Sequence, residues 1–158
     1  MVNFCKDPVK ILKSLNIFRY GKEALSLRLL YIAVPFLGKD FNIIHCHFGP
    51  NGVLGVLLRD IRAVNGKVAT TFHGYDMSCY IVKEGTNIYN FLFKKGDVFL
   101  PISEYWGKKL IELGCEEDKI IVHRMGIDLD KFSLKLSKEN KSGIVKLITV
   151  ARLVKKKV

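Results

Sequence analysis

The sequence predicts an α/β protein, a Rossmann-like parallel sheet with flanking helices. Three observations predict it. Short β-branched runs alternate with amphipathic stretches of helical period, the runs end in polar turns carrying glycine, and the gap between the runs at 41–46 and 67–72 fits one crossover helix. At 158 residues and 49% hydrophobic, the chain can bury a sizeable core.

Asp7-Pro8 is a helix-start signal, a cap followed by proline at the first helical position, and Ile11, Leu12, Leu15 and Phe18 recur at helical spacing. A helix is therefore expected over 8–18. Gly21 breaks it, and 25–36 reads as a second, more apolar helix stopped at Pro35 or Gly38. Residues 41–46 form a short buried strand. Asn51 is placed to cap the next helix, whose apolar stripe is Val53, Leu54, Leu57, Leu58, Ile61 and Val64. Asn65-Gly66 ends that helix and 67–72 is the next strand, which makes 41–72 a β-α-β unit with a right-handed crossover.

Beyond a variable stretch around Gly85, residues 88–93 read as helix, 98–100 as a third strand and 119–123 as a fourth, with a helix between them that Ser103 caps and Gly114 closes. Residues 137–143 are polar and linker-like. Residues 144–150 start another strand. The expected plan is an amphipathic helical segment at 1–40, a partial Rossmann-like domain at 41–136, the linker, and the opening of a further domain at 144–158.

The net charge of +11 sits mainly at the ends: residues 1–40 hold seven Lys/Arg against three acids, 41–130 ten against eleven, and 131–158 nine against one. A basic tail of this kind is a solvated linker or a polyanion-binding arm. The N-terminal excess accompanies Phe18, Tyr20 and Tyr31, which suits either an anionic membrane surface or a plain solvent-exposed helix face. No nucleic-acid recognition motif accompanies the charge, so nucleic acid is not an expected partner. Cys5, Cys46, Cys79 and Cys115 are far apart with no CxxC pair, as expected of reduced thiols in a cytosol. The apolar run at 24–37 is interrupted by Arg28 and Pro35 and falls short of the ~20 residues of a spanning helix. The expected location is cytoplasmic, with contact to the inner face of the plasma membrane as the peripheral option.

Two strand ends carry the candidate chemistry. In Thr70-Thr71-Phe72-His73-Gly74-Tyr75-Asp76, Gly74 lets backbone approach a ligand, and Asp76 is placed to orient or charge the imidazole of His73. His45 and His47 precede Gly49 in a similar turn; they are strand-end histidines held by hydrogen bonds, or cleft residues, chiefly His47. A metal would ask for further ligands at sensible spacing, and none is obvious. Ser103 is a helix cap whose helix end is also an anion site. Arg152 with Lys155, Lys156 and Lys157 is a diphosphate clamp or a frayed cationic terminus. Nucleophile elbow, P-loop and GxGxxG are all missing, so hydrolase, NTPase and dinucleotide readings lack their motifs.

In order, HCHFGPNG (45–52), TTFHGYD (70–76), LPISEYW (100–106), HRMGIDLDKF (123–132) and ITVARLVKKK (148–157) resemble the family 4 glycosyltransferases of GT-B fold, nearest to those of colanic-acid and exopolysaccharide synthesis. The resemblance implies a partial N-terminal GT-B domain holding the acceptor and a C-terminal domain holding a nucleotide-sugar. It implies that His73 sits at the reaction centre as the catalytic residue; the substrate site is expected at His47, Gly74, Asp76 and Ser103. Arg152 and Lys157, with Lys156 beside them, match the cations that hold the donor diphosphate. Retention of anomeric configuration without a metal or cofactor is implied as well. The family's opening strand and glycine-rich loop, and its paired-glutamate donor domain, have no match here; Met125 and Val158 stand where relatives carry asparagine and glycine. The expected function is thus a fragment of a retaining hexosyltransferase acting on a polysaccharide or lipid-linked acceptor and inactive alone. The alternative is a non-catalytic membrane- or acceptor-binding half of a two-chain glycosyltransferase.

Overall fold

The computed structural model describes residues 8–37, 39–132 and 147–150. Two compact units divide the chain, Met1–Met125 and Gly126–Val158. The first contains a three-stranded parallel sheet of order β1-β2-β3, with β1 at Ile43–His47, β2 at Lys67–Phe72 and β3 at Val98–Pro101. Helix α5 (Gly49–Asp60) crosses from β1 to β2. The expected α/β architecture and β-α-β unit are present.

Side chains of β1 alternate as a strand requires: Ile44 and Cys46 turn toward α5, while Ile43, His45 and His47 project from the other face. α5 lies close to the sheet because Gly52 has no side chain. A Cβ there would stand 2.5 Å from Thr70 Oγ1 and 2.9 Å from Leu92 Cδ2. Phe72, Phe99, Tyr89, Leu92, Val56 and Val68 form the buried centre of this layer, each apolar side chain contributing about 1.5–3 kcal/mol by leaving water.

Upstream of the sheet are α1 (Pro8–Ser14), α2 (Ile17–Tyr20), α3 (Lys22–Leu25), α4 (Arg28–Ala33) and a 3₁₀ turn at Val34–Phe36. The two long helices expected here are therefore broken. Asn16 leaves helical geometry (φ −72°, ψ 93°) to cap α2, its side chain accepting from Arg19 N–H, and Leu27 at φ 57° separates α3 from α4. Tyr20, Leu29 and Ala33 bury against Leu58, Ile61 and Val64 of the α5 region, forming a second core.

Other expected boundaries also shift. Helix α5 begins at Gly49 with Pro50 in its first turn, so Asn51 is not its cap; instead the Asn51 amide donates to the His47 carbonyl at 2.8 Å. Around Gly85 stand α6 (Cys79–Glu84) and a 3₁₀ turn at Thr86–Tyr89, and α7 follows at Asn90–Lys95 instead of 88–93. α8 (Glu104–Glu112) has Ser103 as its cap, as expected. The fourth strand is reduced to a parallel bridge, Phe99 to Ile120, extended by Ile121 N–H on Phe99 O and His123 N–H on Pro101 O, both at 2.9 Å. Glu117–Lys119 wind as a 3₁₀ turn and take away its first residue. In the second unit, Asp128 accepts from Asp130 and Lys131 N–H, and residues 147–150 carry no regular structure where a strand was expected. The linker at 137–143 lies outside the described residues.

Candidate functional site

Parallel strands bring their C-terminal ends to one edge, and this chain places all four of its histidines there or just beyond. His45 and His47 share a face of β1, their rings 4.6 Å apart. His73 follows β2, and its Nε2 meets Nδ1 of His47 at 2.9 Å with the rings stacked. One of those nitrogens donates and the other accepts. His45 Nε2 lies 2.8 Å from Thr71 Oγ1 on the neighbouring strand. Partial burial, and then the nearby His47, His123 and His73, push the imidazole of His45 below its ordinary value.

The turn that carries His73 is built for its shape. Gly74 sits at φ +100°, which a side chain rarely tolerates, and a Cβ there would stand 3.3 Å from Cζ2 of Trp106. Trp106 comes from α8, whose cap Ser103 accepts from Trp106 N–H at 3.4 Å. Phe48, at φ 70° between β1 and α5, lays its ring 4.6 Å from that of His73.

Asp76 does something other than the sequence suggests. It is wholly buried, and its carboxylate accepts three backbone N–H groups: Gly49 on one oxygen at 2.9 Å, and His73 at 3.0 Å and Gly74 at 2.9 Å on the other. No bond joins it to the imidazole of His73. Buried and bound to three N–H donors, Asp76 fixes the two turns that present His47 and His73 and reaches a ligand only through them. It also serves as the missing cap of α5, whose own N-cap Phe48 offers no side-chain acceptor. The Tyr89 hydroxyl donates to the Asp76 carbonyl at 2.8 Å and completes the buttress.

Of the expected site residues, His47, His73 and Gly74 come together and Asp76 supports them from beneath. Ser103 stands at the end of the adjacent strand, engaged as a cap. Arg152 and Lys157 lie outside the described residues. Phe48 and Trp106 were missed; the aromatic flanked by histidine and glycine in His47-Phe48-Gly49 was the available sign for the first. Among the described residues, no three His, Cys, Asp or Glu side chains are placed to share a metal ion.

The sequence profile of Glycosyltransferase Family 4 matches residues 5–131. The chain belongs to that family. It is 41% identical over 150 residues to a protein of Escherichia coli K12 named as a colanic acid biosynthesis glycosyltransferase, and 40% identical to its counterpart in Salmonella typhimurium. It is also 40% identical over 151 residues to an amylovoran biosynthesis glycosyltransferase of Erwinia amylovora. Each match covers 92% of this chain and 36% of the relative, so the chain spans about a third of the length of these proteins. The described part is a partial glycosyltransferase domain of Rossmann-like form.

Proposed function

We propose that this chain supplies the acceptor-side wall of a retaining glycosyltransferase of GT-B arrangement, which moves a hexose from a nucleotide-sugar to a polysaccharide or lipid-linked acceptor in exopolysaccharide synthesis. The observation that carries the reading is the His47–His73 pair, held at adjacent strand ends in a chain of this family. With Nε2 of His73 engaged by His47, Nδ1 faces the acceptor, where it accepts a hydrogen bond from the attacking hydroxyl. That oxygen gives its proton to Nδ1 and bonds to the anomeric carbon as the bond from the carbon to the diphosphate breaks, and the cations proposed to bind that diphosphate are Arg152 and Lys157. These 158 residues form one wall, so turnover requires more polypeptide than they contain. Incubating the purified chain with nucleotide sugars and lipid-linked oligosaccharides is expected to show acceptor binding, lost in His73→Ala, without transfer. Transfer by the chain alone, or binding indifferent to His73→Ala, would overturn the reading.

Peripheral contact with an anionic membrane surface from the cytoplasmic side belongs to the same proposal. Phe18 and Tyr31 are 106% and 82% exposed in the same helical segment as Lys13, Arg19 and Lys22, and Leu27, Leu30, Tyr31, Val34 and Pro35 line an apolar hollow of about 720 Å³. No helix among the described residues is long and apolar enough to cross a membrane. Phe18→Ser is expected to weaken binding to phosphatidylglycerol vesicles; unchanged binding removes the membrane from the proposal.

A further inference from the structure

Far from the histidines, at the other end of α5, lies a hollow with a different chemistry. The 12 residues of that helix place Asp60 roughly 18 Å from the strand ends. There a cavity of about 650 Å³ opens between α1–α2 and the end of α5, lined by five cations, Lys13, Arg19, Arg59, Arg62 and Lys95, against one carboxylate, Asp60. Asp60 is already engaged, by Arg19 at 2.9 Å and by the Tyr20 hydroxyl at 2.8 Å. Arg59 is also occupied, by Asp97 and by the carbonyls of Lys95 and Gly66. Lys13, Arg62 and Lys95 have no carboxylate at ion-pair distance among the described residues.

Arg59 and Lys95 stand in the last turns of α5 and α7, where a cation meets the negative end of a helix. Lys13 and Arg19 stand likewise in the last turns of α1 and α2, but a helix end explains neither Arg62, beyond the end of α5, nor the convergence of all five cations on one hollow. Like charges gathered round one hollow repel each other unless an anion sits among them. We propose that this cavity binds a phosphate anion of the diphosphate class, at a site separate from the histidine turns. Leu12, Leu15 and Phe18, all exposed, alternate with the lining residues Lys13, Asn16 and Arg19, so the same cavity accommodates a free phosphate or one carried on a lipid.

The test is calorimetric titration of inorganic diphosphate into the Arg152→Ala/Lys157→Ala chain, which silences the proposed donor positions and needs no membrane. Saturable binding is expected at physiological salt, weakened about tenfold by adding Lys13→Ala and Arg62→Ala and unaffected by Lys108→Ala on α8. Both substituted side chains lie on the cavity surface outside the two cores, and circular dichroism checks that the variants fold. Competition by phosphatidylglycerol vesicles, but not phosphatidylcholine vesicles, identifies a lipid headgroup as the source; lack of competition identifies a free phosphate. Absence of saturable binding, or equal weakening by Lys108→Ala, overturns the site.

Discussion

Replacing Asp76 with asparagine tests whether the buried carboxylate holds the two histidine turns together. The substitution keeps the volume, and the remaining oxygen can still accept from His73 and Gly74 N–H. The new amide nitrogen then faces Gly49 N–H, donor against donor. One charge-assisted bond worth roughly 1.5–3 kcal/mol is lost and a buried donor is left unpaired, so the expected cost is roughly 2–4 kcal/mol. Asp76→Ala strips all three bonds, at a cost approaching the ~5–15 kcal/mol that hold a domain folded. Urea denaturation is a direct assay, because the single tryptophan, Trp106, packs on Gly74 and reports on the turn itself. With a slope of roughly 2 kcal/mol per molar urea, the midpoint should fall by about 1–2 M in Asp76→Asn, with faster amide exchange at Gly49. A fall below about 0.3 M, or equal effects of asparagine and alanine, would refute the buttress.

Gly74→Ala should cost roughly 1–3 kcal/mol, since alanine at φ +100° is strained and its Cβ presses on Trp106; a thermal midpoint within about 1 °C of the parent would contradict this. Because folding lowers the pKa of His45, the unfolded chain binds more protons just below the ordinary imidazole value of about 6.5. The His45 contribution is therefore complete above that value and is lost as pH falls toward the lower folded one. The urea midpoint should drop on acidification through this window and drop less in His45→Gln; an equal drop in both would place the sensitivity elsewhere.

Much of the sheet and its crossovers was legible because period-2 and period-3.6 patterns record which face is buried. Val68, Thr70 and Phe72 alternate as a buried strand should, and the stripe from Leu54 to Val64 names residues of the second core. Less legible were events decided by one residue's competing bond, such as Asn16 leaving a helix to cap the next, or by an unusual backbone angle such as that of Leu27. The pairing of His47 with His73 was foreseeable from adjacent parallel strands. The role of Asp76 was not, because its key partner, Gly49 N–H, lies 27 residues away and leaves no trace in local pattern. Trp106 likewise reaches Gly74 only through the packing of α8.

At the opposite end of the strands, the Arg59 guanidinium joins the carbonyls of Gly66 and Lys95 to Asp97. Burial alone would raise the Asp97 carboxyl, but the Val68 N–H bond and Arg59 outweigh it and hold the group below its usual value. The entry to β2, the end of α7 and the entry to β3 are thereby tied through one side chain. The histidine turns hang from the far ends of those same strands. Two separate polar knots, Arg59 with Asp97 at one end and Asp76 with its three backbone N–H groups at the other, therefore hold the same strands, so a substitution that loosens one leaves the bonds of the other in place.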